Sequence, residues 1–336
     1  MKPDDFETKK IQQMIARKNG GGLPDSLEGY RILKSLSSSE RHFASHQIEL
    51  WEDRTGKKVV TKTVAPGLEH TLSADVIGQR VFELFNLPCP HSKIIEDQEK
   101  PTLVMEYLEG YHDTPDILHL PSEHHDNPVI QRGIILDLWL HHYDRQPYNF
   151  MFKDQDVAFI DFGGSLTSSP SGKVTGFPET IDEAMIYRLV KAFQGPYAVN
   201  EAYAKVIDID SRIKRIIVKD ALLLKTLADE LQKIFSDPVI DQVVEENILF
   251  IQRKNPVRIQ KIIQEMQDNL ALSKEAFLKK FQKDEKYFPS YQQNFSEALE
   301  TFQIINDRFD SDESSYLKHA LKKRRDSLVE FIQALV

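Results

Sequence analysis

The sequence predicts an α+β fold made of two unequal lobes. The first lobe is a small five-stranded antiparallel sheet with one helix inserted. The second is larger and helical. Three observations carry this expectation. β-branched and alternating runs separated by turn residues fill positions 30–107. One stretch inside them, 71–87, changes to helical spacing. From about residue 115 onward the apolar residues recur mainly at helical intervals.

Taken in order, "FETKKIQQMIARK" (6–18) has helical spacing and "NGGGLPDS" (19–26) breaks it, so residues 1–29 read as a helical extension and linker. "YRILKSL" (30–36), "HFASHQIELW" (42–51) and "KVVTKTV" (58–64) read as three consecutive strands, with turn chemistry in "EDRTGK". "TLSADVIGQRVFELFNL" (71–87) reads as the inserted helix, capped by Thr71 or Ser73. "PCPHSKIIED" and "PTLVMEYLEG" supply two further strands. The strand-rich lobe closes at 107, a helical core is expected over 108–225, and a helical C-terminal part over 226–336. "VIQRGIILDLWLHHY" (129–143) is apolar enough to be a buried helix. "NFMF" and "VAFI", around "KDQD", read as a tight hairpin, 165–180 as a polar loop, and everything beyond it as helices.

The bulk properties narrow the function. Net charge is −9 over 336 residues, which argues against a nucleic-acid binder. One cysteine, Cys89 between two prolines, excludes an intrachain disulfide and a cysteine-based zinc site, and reads as packing. The N-terminus lacks an apolar signal region, and the longest apolar run, "GIILDLWL", is too short to span a bilayer. A soluble cytoplasmic protein is therefore expected.

The chemistry concentrates in "HHYDRQPYNFMFKDQDVAFIDFGG" (141–164). Asn149 and Asp161 flank the expected hairpin, so the chain returns on itself and can aim an amide oxygen and a carboxylate at one point. Hard oxygen donors of this kind suit Mg2+, which completes its shell from water and substrate phosphates. Asp144 lies just past the buried helix and can accept a proton from, or orient, an attacking hydroxyl. Gly163 and Gly164 let the backbone pass close to a nucleotide. Lys62, on the third strand, can neutralise phosphate charge if a carboxylate holds it. Asp75 and Glu83, on the following helix, are both candidates.

These residues resemble protein-kinase motifs. Asp144 and Asn149 fit H-x-D-x-x-x-x-N headed by His142, "IDFG" (160–163) resembles D-F-G, "VVTK" (59–62) resembles V-A-I-K, and "LVMEYLEG" (103–110) resembles a kinase hinge. Each alone is better read as an ordinary turn or half-buried strand. All four in kinase order, each in its required structural context, make the resemblance. "DRQPYN" is similar to the "DRHxxN" of phosphatidylinositol 3- and 4-kinases and of HipA-type bacterial kinases, and the "ADVIGQRVFELFNLPCP" helix to theirs, which favours Asp75 over Glu83 as the partner of Lys62.

The resemblance implies a protein-kinase-like fold and an ATP-dependent kinase using Mg2+ or Mn2+. It implies metal ligation by Asn149 and Asp161, phosphate contact by Lys62 and by Ser37, Ser38 and Ser39 of "SLSSSER", adenine contact at the backbone of Glu106 and Leu108, and Asp144 as the catalytic acid-base group. A protein Ser/Thr acceptor is the leading expectation. A phosphoinositide kinase, a small-molecule phosphotransferase and an inactive pseudokinase scaffold are the alternatives. The overall pattern also resembles effector kinases that bacteria deliver into the host-cell cytosol.

The chain departs from the protein-kinase pattern in three ways. No G-x-G-x-x-G loop or A-P-E is present, and Gln146 stands where many protein kinases carry a lysine, so that charge comes from Arg145 or Lys173 or is absent. The basic groups "SRIKR" (211–215), "QRKNPVR" (252–258) and "LKKRR" (321–325) are solvated helix faces or, together, a site for an inositol phosphate or phosphoinositide headgroup.

Overall fold

A computed structural model describes residues 22–36, 46–64, 70–97, 100–113, 126–142, 145–166, 179–181, 207–210, 215–218, 220–252, 267–281 and 313–335, with isolated positions between them. Strands β1 (Arg31–Ser35), β2 (His46–Glu52), β3 (Lys58–Val64), β4 (Ser92–Asp97) and β5 (Lys100–Glu106) form one antiparallel sheet in the order β1-β2-β3-β5-β4. Register fixes the faces. Val59 and Thr61 point to one side of β3, where Val59 packs with Ile95, Val104, Leu23 and Leu27, and Thr61 accepts a hydrogen bond from the Trp51 indole. Lys62, one residue on, points to the other side. Lys93 ties the 22–30 segment to the sheet through the Leu23 carbonyl and the Asp25 carboxylate.

Helix α1 (His70–Leu84) covers the Lys62 side. It is buried almost all round: Leu72 and Val76 pack on Leu103 of the sheet, while Ile77, Val81, Phe82 and Phe85 join the main core. Asn86, left-handed at φ 59°, ends it in a Schellman cap, with the Leu87 N–H bonded to the Phe82 carbonyl.

Helix α2 (Pro128–Trp139) starts at Asn127, whose side chain accepts the Val129 N–H, with Pro128 in the first turn. It stops at Trp139 instead of running to 143 as the apolar spacing suggested. His141 adopts φ 54° and the His142 N–H closes back onto the Asp137 carbonyl, so a second Schellman-type cap turns the chain. Strands β6 (His112–Asp113), β7 (Phe150–Lys153) and β8 (Asp156–Phe159) form a small sheet, with Asp154 left-handed in the tight turn between β7 and β8. The expected hairpin is thus present. Gly133 lets α2 lie against the ring of Phe159, since a Cβ there would collide with it.

The expectation of helices alone beyond residue 180 needs correction. Strands β9 (Ile207–Asp210) and β10 (Arg215–Val218) pair antiparallel, with the β-branched Ile209 opposite Ile216. Helices α3 (Ala221–Ile234), α4 (Asp237–Gln252), α5 (Lys274–Phe281) and α6 (Glu313–Leu335) follow. Leu224, Leu227, Leu231, Val244, Tyr316, Leu317, Leu321 and Leu328 share one buried cluster with α1 and α2. The result is an α+β structure, with a five-stranded antiparallel sheet first and a mainly helical part after it. No helix among the described residues is long and apolar enough to cross a membrane. The expected N-terminal helix over 6–18 and most of the 165–180 loop lie outside the described residues.

Candidate active site

The Lys62 ammonium lies 2.7 Å from Asp75 Oδ2 and 2.8 Å from Asp161 Oδ1. Three segments of chain therefore meet at one cation: the middle of β3, the second turn of α1 and the turn after β8. Lys62 and Asp75 are buried, whereas the Asp161 side chain keeps 31% of its surface. Burial alone would discharge Lys62, but the Asp161 and Asp75 carboxylates overcome it and hold the ammonium's pKa above its usual range. Burial opposes ionisation of Asp161 as well, yet the Lys62 ammonium and the His46 ring bring it well below the usual carboxylate range. Asp75 moves the other way: burial raises it against the pull of Lys62, and the charge of Asp161 adds to the rise. Asp161 is thus the half-buried, ionised oxygen donor of the group.

Glu83, the other candidate partner of Lys62, is engaged elsewhere, by Arg80 and the His91 ring. Asp75 also accepts the Phe162 N–H, at 2.6 Å. Phe162 in turn packs edge-on against Phe82 of α1, with ring centroids 4.7 Å apart, and directly over Gly78. Gly163 is similarly constrained: a Cβ on it would stand 3.2 Å from both Asp75 Oδ2 and Lys62 Nζ. The crowding comes from the protein's own side chains and is separate from the approach to a nucleotide expected of this glycine. Asp161 itself is left-handed at φ 55°, a conformation of about 1 kcal/mol or more for a non-glycine residue, tolerated best by Asp and Asn.

Asn149 is buried in a single turn of 3-10 helix, and its carbonyl accepts the Ile160 N–H at 3.0 Å. The segments carrying Asn149 and Asp161 are thus bonded side by side. Arg145 lies beneath them, with no exposed surface. It forms a two-pronged ion pair with Asp137 of α2, at 3.1 and 3.2 Å, and donates to the Ile160 carbonyl at 2.7 Å and the Asn149 carbonyl at 3.3 Å. Of the alternatives for the missing lysine's charge, Arg145 is removed: its charge is spent inside the protein. His142 is buried beside Phe162, and burial, then Arg145, pushes its pKa well below the ordinary value, so it is neutral.

On the expected hinge, Glu106 is exposed and its N–H bonds the His91 carbonyl at 2.8 Å. Leu108 is half-buried, and its carbonyl closes a turn with the Tyr111 N–H. Cys89 donates to the Gln79 carbonyl, and burial drives its thiol pKa up, which favours the thiol over the thiolate. Asp144, Ser37, Ser38, Ser39 and Lys173 lie outside the described residues.

The "LKKRR" group also reads differently in three dimensions. Arg324 is fully buried, donating to the Leu138 and Trp139 carbonyls, and Arg325 bonds the Phe235 carbonyl, Asp237 and Asp326. Lys322 pairs with Asp241. These arginines face inward and are not part of a polyanion site. Residues 211–214 and 253–258 of the other basic groups lie outside the described residues.

Sequence reasoning missed the positions of Arg145, Gly78 and His46. A signal existed for Arg145: Asp137 is a lone charge within "GIILDLWL", and a buried carboxylate requires a cation.

No protein-family model matches the chain, and no curated protein does. Among solved structures it is similar to the crystal structure of a Helicobacter pylori proinflammatory kinase, CtkA, at a TM-score of 0.47 and 9% sequence identity, over 93% of this chain and 99% of that one.

Proposed function

We propose that the chain is an ATP- and Mg2+-dependent phosphotransferase that moves the γ-phosphoryl group to a hydroxyl, with Ser or Thr of a protein as acceptor. The observation that carries the reading is the meeting of Lys62, Asp75 and Asp161 at one half-open point, beside the turn that bears Asn149. Phosphoryl transfer is mainly positioning and charge neutralisation. Lys62, held charged by Asp75, offers an ammonium on a rigid strand to the nucleotide phosphates. Asp161 and Asn149 offer a carboxylate and an amide oxygen, hard donors that fit Mg2+ or Mn2+. A divalent ion bound there supplies charge neutralisation on the triphosphate. Asp144 orients the acceptor hydroxyl and takes its proton, Ser37, Ser38 and Ser39 contact phosphate, and the backbone of Glu106 and Leu108 receives adenine.

The deciding experiment incubates the protein with γ-labelled ATP and Mg2+ or Mn2+, in parallel with cell-extract protein and with phosphoinositide vesicles. Labelled protein from the wild type, absent with Asp161→Ala and with Asp144→Ala, is the expected result. Label in lipid alone would replace the acceptor class. Equal labelling by wild type and Asp161→Ala would overturn the assignment.

A further inference from the structure

We infer that Arg145 is the positioning residue for the metal-binding pair, setting the separation of Asn149 from Asp161. The inference rests on the proposed nucleotide–metal site and adds to it a residue that touches neither ligand. One guanidinium nitrogen, Nη1, bonds the carbonyls of both Asn149 and Ile160, the latter adjacent to Asp161. The opposite edge of the fork is clamped to Asp137 through Nε and Nη2. Asp137 sits in α2, so the two segments are referenced to a rigid helix and not merely to each other. The rings of Phe82, Phe150, Phe159 and Phe162 enclose the guanidinium, the nearest centroid 4.7 Å away, which excludes water from these bonds.

A planar fork with fixed donors is needed to bridge two carbonyls and a carboxylate simultaneously, and a lysine ammonium cannot reproduce it. The bonds go to backbone carbonyls and use none of the side-chain oxygens of Asn149 and Asp161. Supports of this kind for metal ligands are worth roughly 10- to 100-fold in metal affinity.

The test uses the full chain with ADP and Mn2+ as probes. Mn2+ binding at saturating ADP is read by water-proton relaxation, and ADP affinity in EDTA by calorimetry. Arg145→Lys keeps the charge and loses the fork. The double variant Asp137→Leu/Arg145→Met removes both ions, which a core tolerates better than one orphaned charge. In both, Mn2+ affinity should fall about tenfold or more while metal-free ADP affinity stays within about twofold. Unchanged Mn2+ affinity in either folded variant would overturn the inference and leave the proposed function standing. Loss of fold in both would make Arg145 a stability residue and equally overturn it. Wild-type protein that binds no Mn2+ with ADP would defeat the proposed function itself, and the inference with it.

Discussion

Asp75 Oδ1 accepts the backbone N–H of Phe162 at 2.6 Å, while its second oxygen holds Lys62. One buried carboxylate thus joins helix, strand and the turn that carries Asp161. Any shift of α1 along its axis strains both bonds together. The spacing of Lys62 from Asp161 is therefore coupled to the seating of α1 on the core.

Replacing Asp75 separates its two roles. Asp75→Ala leaves a buried N–H without its acceptor and removes one partner of the ammonium, while Asp161 still holds Lys62. The expected loss is about 2–3 kcal/mol, below that of a fully orphaned buried charge. Asp75→Asn can still accept from Phe162 and should lose about half as much. Urea denaturation of the two variants checks this; equal stabilities would mean that the Phe162 bond contributes nothing.

Gly78 faces opposing effects. Alanine would favour the helix by up to about 1 kcal/mol. Its Cβ, however, would stand 2.6 Å from the Cβ of Phe162, an atom next to the backbone that cannot swing away. Overpacking of that kind costs about 1–3 kcal/mol, so Gly78→Ala should be net destabilising. It should also weaken nucleotide binding, because Phe162 is the neighbour of Asp161. Melting temperature and ADP calorimetry on the same preparation test both consequences.

His46, on β2, has its pKa lowered to about 4, first by burial, then by the nearby Lys62 ammonium, with Asp161 pulling the other way. In the unfolded chain its pKa is about 6.5. Between those values the unfolded state takes up a proton that the folded state refuses, so stability must fall as pH drops from about 6.5 to 4. Above 6.5 the contribution is fully present. His46→Gln removes it, and the decline in urea midpoint between pH 7.5 and 5 should be shallower than in the wild type. Parallel declines would show that His46 titrates normally.

The sheet, the inserted helix and the hairpin were legible because each has a local signature: β-branched alternation, a change of period, and a polar turn between two apolar runs. The Lys62, Asp75 and Asp161 group was legible through motif order, although nothing in the sequence measured their approach. What stayed hidden depends on burial. "LKKRR" has the same composition whether it faces water or the core, and only packing separates the exposed Lys323 from the buried Arg324. β9 and β10 are four residues each, too short for periodicity to register. Arg145 lay within the recognised motif, but its partner Asp137 is on the preceding helix, so their pairing is a tertiary fact.

Arg324 gives the sharpest contrast between neighbours. Helix α2 ends in carbonyls with no partner in their own helix, at the negative end of its dipole. Arg324 reaches them from α6, donating to the Leu138 carbonyl at 2.6 Å and the Trp139 carbonyl at 2.7 Å, while the Trp139 indole N–H returns a bond to the Leu321 carbonyl at 2.9 Å. Those carbonyls lie just before the turn leading to Arg145 and Asn149. Arg324→Ala would leave the buried Trp139 carbonyl without its donor, the Leu138 carbonyl with the His141 N–H alone, and a guanidinium-sized void, and should cost about 3 kcal/mol. Lys323→Ala, one residue earlier on the exposed face, should change stability by less than about 0.5 kcal/mol. Urea midpoints for the pair decide it: equal effects would mean that α6 does not cap α2, and the link from the C-terminal helix to the site would fail.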